Sequence, residues 1–237
     1  MKLLLKRKHP FRDRNGRLRM GLSWFSLCVM LCGCATIRPS VEIAVYQNDF
    51  EATPLGRLPE EFLVLNGEEF AVKEEASNRF LELPGTPLDA FGLLLGPPQK
   101  DDSSISARIF GTSQGRRLPA FGVGLNGATG FKLQVAPAKA AVEIERDGSV
   151  QKSVPYVWKS GQWTHFQLQV RRVGSGVWRV SGKVWNEGDP QPAAPTIEWE
   201  TKEEPANFRA SIWGSPFSGT PIRFDDLRVA RITTTNQ

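Results

Sequence analysis

An all-β, two-sheet antiparallel sandwich is the fold class this sequence predicts, on three observations. Apolar residues alternate with polar ones at period two in many short runs. Gly, Pro, Asp and Asn fill the gaps between runs, as turns require. Apolar spacing at i, i+3 and i+4, the mark of an amphipathic helix, is nearly absent.

The first element stands apart from that fold. Lys2, Lys6, Arg7, Lys8, Arg12, Arg14, Arg17 and Arg19 precede an uncharged run from Met20 to Leu31, which leads into Leu31-Cys32-Gly33-Cys34. A basic leader, a short apolar segment and small residues before a cysteine form the layout of a bacterial lipoprotein export signal. A membrane-spanning helix needs about 20 apolar residues, more than this run supplies, whereas a signal segment of about 7–15 fits it. On this reading residues 1–33 are a removed signal peptide. Cys34 becomes the lipidated N-terminus, and several acyl chains together anchor the protein stably. Ala35 stands where an aspartate would resemble an inner-membrane retention signal, so the expected address is the outer membrane of a cell envelope. The leader carries eight of the 30 Lys and Arg and one of the 25 acids, Asp13, so its loss moves the formal charge from +5 to −2. The high pI therefore gives no ground for nucleic-acid binding. Cys34 is the one cysteine that remains, which leaves no internal disulfide to form.

Residues 34–41 then read as a lipidated tether, 42–232 as one sandwich domain and 233–237 as a tail. The expected strands are 42–50, 61–66, 69–73, 79–83, 91–95, 104–110, 120–125, 129–135, 140–146, 149–154, 163–171, 177–185, 196–200, 207–213 and 221–232. The prolines fall mostly between them, and Asp189–Pro195 is a Pro-rich loop inside the domain.

Alternation also sorts the faces. Phe131, Leu133 and Val135 oppose Lys132 and Gln134. Phe166, Leu168 and Val170 oppose Trp163, His165, Gln167 and Gln169. Trp178, Val180 and Val184 oppose Arg179, Lys183 and Trp185, while Phe208, Ala210 and Ile212 oppose Arg209, Ser211 and Trp213. Two sheets packed through their apolar faces account for this. In Phe121-Gly122-Val123-Gly124-Leu125 the outward face is bare glycine, which fits either close approach of a ligand or backbone, or a bend in a curved sheet.

Four features carry a family resemblance. They are Asn48-Asp49-Phe50-Glu51 with Gly56 and Pro59; Trp158 with Gly161-Gln162-Trp163; Gly182-Lys183-Val184-Trp185 before the Pro-rich loop and Trp199; and the closing Ile222-Arg223-Phe224-Asp225-Asp226-Leu227-Arg228-Val229. Across residues 48–229 the chain resembles the jelly-roll domains of the concanavalin A-like lectin/glucanase superfamily, including laminin G-like modules of bacterial surface proteins. The resemblance implies a jelly-roll sandwich with neighbouring first and last strands, and a carbohydrate or envelope-polymer ligand. Related carbohydrate-binding modules hold a structural calcium near those strands, so Asp49, Glu51, Asp225 and Asp226 are the metal candidates. Adjacent Asp225 and Asp226 also interrupt the alternation, as a β-bulge would.

No catalytic motif stands out. Glu143-Ile144-Glu145-Arg146-Asp147 resembles the acidic strand of sandwich-fold glucanases, which makes Glu143 and Glu145 the catalytic alternative. Asp147, however, precedes Gly148 and Ser149 as a hairpin turn would require. His165 is the one histidine after the leader; a single imidazole builds no histidine zinc site, and no Gly-x-Ser-x-Gly elbow accompanies it. Sugar rings stack on exposed aromatic faces, which makes Trp163, Trp185 and Trp213 candidate platforms. His165, Gln167 and Arg209 are their candidate polar partners, the other reading being that these tryptophans seal the sandwich. Trp178 and Trp199 are expected in the core.

Overall fold

Each run that alternates at period two folds into a strand. The computed structural model of the chain describes residues 40–66, 70–100 and 102–234; the expected export signal, Cys34 and the last three residues lie outside them. In chain order the strands are β1 (Ser40–Asn48), β2 (Leu63–Asn66), β3 (Ala71–Glu75), β4 (Asn78–Leu83), β5 (Phe91–Gln99), β6 (Ser103–Phe110), β7 (Ala120–Leu125), β8 (Phe131–Ala136), β9 (Ala141–Arg146), β10 (Ser149–Pro155), β11 (Trp163–Gly174), β12 (Val177–Asn186), β13 (Ile197–Thr201), β14 (Phe208–Ser215) and β15 (Ile222–Thr234). One 3-10 turn, Pro137–Lys139, is the only helical segment among the described residues.

The strands form two antiparallel sheets. The first runs β13-β12-β11-β6-β15-β4-β3, with β1 also paired to β15; the second runs β10-β9-β8-β7-β14-β5-β2. Phe166, Leu168 and Val170 of β11 meet Phe121, Val123 and Leu133 of the second sheet in one continuous buried core. Phe121 bridges the layers, edge-on to Phe166 and Trp158 at 5.9 Å each. Trp178 is buried and Trp199 half-buried against the same core. The chain is a two-sheet antiparallel β-sandwich, as its residue pattern predicts, with the jelly-roll form that the family resemblance implies.

Three details differ from the sequence reading. Ser40 pairs with Thr234 and Val41 with Thr233, so strand structure extends into both the expected tether and the expected tail. First and last strands satisfy each other's backbone groups, which neither could do alone. β5 runs on through Gly96-Pro97-Pro98, because β2 pairs only with Gly92, Leu93 and Leu94 and leaves the prolines on a free edge. Phe208, expected inward, is 50% exposed. The register of β14 against β5 shifts by two residues between Phe208 and Ala210, so the regular ladder that buries Ala210 and Ile212 is interrupted where Phe208 opens the strand.

The glycine-rich strand β7 is explained by its neighbours. A Cβ on Gly122 would meet the β8 backbone, and one on Gly124 would meet Ser211 Oγ. Trp213 donates its indole N–H to that same Oγ at 2.8 Å, and its ring fills the space a Cβ on Gly92 would need. The bare face thus admits a neighbouring backbone and an indole.

Candidate functional site

The outer face of the first sheet gathers most of the expected polar and aromatic residues, because antiparallel register aligns them in rows across strands. Asp225 of β15 faces Arg108 of β6, Arg108 faces His165 of β11, and His165 faces Trp185 of β12. The next row is Arg228, Ser106, Gln167 and Lys183. Trp163 and Phe110 form a third, aromatic row with Arg223.

Arg108 organises the centre. Its Nη2 donates to Asp225 Oδ2 and to Asn78 Oδ1, both at 2.7 Å, and Asn78 Nδ2 donates to the same Asp225 oxygen at 2.9 Å. Arg108 Nε lies 2.9 Å from Asp226 Oδ2, an ion-pair contact too bent to count as a hydrogen bond. The Arg108 guanidinium sits 4.6 Å from the Trp163 ring centroid, so that ring is covered on one face. Asp225 is 1% exposed, and burial holds its carboxyl above the ordinary carboxylate range; Asn78, the Asp226 N–H and Arg108 pull the other way. The register of β15 against β6 shifts between Asp225 and Arg228, and Asp226 adopts φ 51°. This is the bulge that the paired aspartates predict, and it turns Asp226 outward.

Two recesses flank this network. One, of about 690 Å³, is lined by Gln47, Asn48, Asp49, Ala52, Thr53, Ser106, Asp226, Leu227 and Arg228. The other, of about 240 Å³, is lined by Ser106, Arg108, His165, Gln167, Trp185, Gln191 and Asp226 among others. Shared Ser106 and Asp226 make them one groove, crossing β1, β15, β6, β11 and β12. Four strand spacings give it a length of about 19 Å. The Pro-rich loop walls its far end: Gln191 Nε2 donates to Gln167 Oε1 at 3.1 Å, and Lys183 Nζ donates to the Ala193 carbonyl at 3.1 Å. Inside, the His165 and Trp185 rings are parallel, 9° apart in plane and 5.0 Å between centroids. Glu187 Oε2 lies 2.5 Å from His165 Nε2 and fixes the imidazole.

The expected ligand set is therefore divided. Trp163, His165, Gln167 and Trp185 share the first sheet's outer face, whereas Arg209 and Trp213 belong to β14 of the second sheet. Arg209 donates to the Glu61 carbonyl at 3.0 Å, and Lys132 Nζ stands 5.1 Å from the Trp213 ring centroid. Arg108, Ser106 and Gln191 join the groove, and Glu187 holds its histidine, without having been singled out. Ser106 and Arg108 alternate with Ile105, Ala107 and Ile109, so their outward direction was readable.

The four candidate metal ligands also part. Asp49 and Asp226 line the groove, but Glu51 Oε1 accepts the Arg79 N–H at 2.9 Å and Asp225 is saturated by its donors. No group of three His, Cys, Asp or Glu side chains suited to a metal occurs among the described residues. The acidic strand is similarly committed. Glu143 is 3% exposed with Lys139 Nζ 3.0 Å away, and Glu145 pairs with Lys132 at 2.7 Å and accepts from Gln134 at 3.1 Å. Asp147 and Gly148 both adopt positive φ, 47° and 71°, in the β9–β10 hairpin, so the aspartate shapes a turn.

Neither protein-family models nor curated proteins match the chain in sequence. Solved structures do match its fold. The PL-14 alginate lyase from Aplysia kurodai is similar over 81% of this chain and 100% of its own, at TM-score 0.51 and 11% identity. A Bauhinia forficata lectin in complex with GalNAc matches over 83% of this chain and 100% of its own, at TM-score 0.51 and 8% identity. The carbohydrate recognition domain of Emp46p, metal-free form, matches over 81% and 97%, at TM-score 0.50 and 14% identity. At such identities the likeness is one of fold, and this fold serves a lyase and lectins alike.

Proposed function

We propose that this chain is a non-catalytic binding module for glycan or cell-envelope polymer, carried as a lipoprotein at the outer membrane. The observation that carries this reading is the groove across the first sheet. A parallel Trp185–His165 pair stands there beside the amides of Gln167 and Gln191 and the carboxylate of Asp226. Aromatic faces suit the apolar faces of sugar rings, and planar amides and carboxylates suit hydroxyl groups. Trp185 is the platform, whereas Trp163 under Arg108 supports the floor. Lectin and carbohydrate-recognition folds among the structural neighbours agree with the reading. Glu143 and Glu145, held by lysines on the other sheet, take no part in it.

Glycan-array binding by the purified protein is the test, with Trp185→Ala expected to weaken it at least tenfold and Trp213→Ala to leave it unchanged. Equal binding by wild type and Trp185→Ala would sink the assignment of the groove. The anchor has its own test. Mass spectrometry of the native protein is expected to find Cys34 as an acylated N-terminus, and an unmodified N-terminus upstream of it would overturn the lipoprotein reading.

A further inference from the structure

Resting on the glycan-binding reading, we infer that the groove selects uncharged glycan chains of several residues and turns away polyanionic ones such as uronates or sulfated polymers. Polyanion sites present cations free to meet carboxylate or sulfate. Among the described residues, those that line this groove present none. Arg108 is taken by Asp225 and Asp226, Arg228 Nη1 lies 2.8 Å from Glu42 Oε2, and His165 is held by Glu187. Lys183, on the adjoining row, turns its ammonium to the Ala193 carbonyl.

Of the charged side chains that line the groove, the two exposed ones, Asp226 and Asp49, are acids. The Asp226 side chain is 57% exposed at the junction of the two recesses, against 20% for the Arg108 it contacts. Asp49, also exposed, lines the far recess and accepts only the Glu51 N–H, at 3.2 Å. A carboxylate that only accepts is suited to a pair of sugar hydroxyls and repels a carboxylated ring. The groove's length, about 19 Å across five strands, places Trp185 and Asp49 at opposite ends. One sugar ring cannot reach both, so an extended chain is the ligand that uses the whole groove.

Calorimetric titration of the full chain tests this. The probes are neutral hexasaccharides (malto-, cello-, laminari- and chito-series) and hexauronates (oligogalacturonate and oligoalginate), at low and high salt. The expected result is a neutral series binding at least tenfold tighter than either uronate, and tenfold tighter than its own disaccharide. Added salt should narrow the gap between neutral and anionic chains, since it screens the repulsion. Asp226→Asn should narrow the same gap; Asp49→Asn, at an exposed loop position remote from Arg108, is the second variant should Asp226→Asn unfold the bulge. Uronates binding as tightly as neutral chains, or disaccharides as tightly as hexamers, would overturn this inference and leave the glycan reading intact. Failure of both classes to bind would bring down both.

Discussion

Gly122→Ala is expected to destabilise the sandwich by about 3 kcal/mol or more, at or beyond the upper end of overpacking effects. A Cβ on Gly122 would stand 2.0 Å from the Leu133 carbonyl oxygen and 2.9 Å from the Gln134 Cα. Both atoms are backbone of β8, the strand that pairs with β7 through Val123↔Leu133 and Gly122↔Gln134. β8 cannot retreat, because its other edge is bonded to β9 through Leu133↔Ile144 and Gln134↔Glu143. The methyl therefore breaks ladder bonds or drives three strands apart. Gly124→Ala meets Ser211 Oγ at 2.4 Å, a hydroxyl that can rotate at the cost of its bond from Trp213, while the Phe131 carbonyl oxygen at 3.2 Å and Trp213 Nε1 at 3.3 Å need give only a few tenths of an ångström. Its penalty should be less than half as large. Thermal unfolding followed by circular dichroism reads both. At about 2–4 °C per kcal/mol for a domain of this size, Gly122→Ala should melt about 6–12 °C below wild type. Equal shifts for the two variants would mean that the β7–β8 ladder yields more easily than its geometry implies.

That glycine face marks how far the residues alone could be read. Alternation tells inside from outside, so Phe166, Leu168 and Val170 were legible as core and Trp163, His165 and Gln167 as surface. Period two does not say which sheet a strand joins. Trp185 and Trp213 look alike in sequence, each outward on an amphipathic strand, yet β12 and β14 lie in different sheets. Only the pairing of distant strands separates them, and pairing is a long-range property. Local chemistry was more reliable. Asp147-Gly148 specified a tight hairpin and Asp225-Asp226 a bulge, because each depends on a few adjacent dihedral angles. Phe208 was misread for the converse reason, since it opens β14 beyond a register shift against β5, where the regular ladder that buries Ala210 and Ile212 is interrupted. Gln191 was invisible, as a loop residue has no period to reveal its direction.

Arg108→Met should cost about 3 kcal/mol at neutral pH, the lower end of what removing one partner of a buried ion pair costs, since Asn78 and the Asp226 N–H remain as donors. The methionine fills the space of the arginine stem over Trp163 but leaves the Asp225 carboxylate, 1% exposed, without a cation. The loss should also depend on pH, and its sign follows from protons bound. Burial already lifts the Asp225 carboxyl above its ordinary value, so between that value and the raised one the native state holds more proton than the unfolded chain. Stability contributed by this group therefore falls as pH rises through that window and returns as pH drops. Without Arg108, one of the groups opposing the lift is gone, and the window reaches to higher pH. Denaturant titrations from pH 7 down to pH 4.5 should accordingly show the gap between Arg108→Met and wild type shrinking, as Asp225 takes up a proton in the variant. Measured against Asp225→Asn alone, the double variant Arg108→Met/Asp225→Asn should show a smaller and pH-independent deficit, because position 225 titrates in neither. A single-variant deficit that stays constant across this range would place the cost in the lost packing on Trp163 and not in the stranded Asp225 charge.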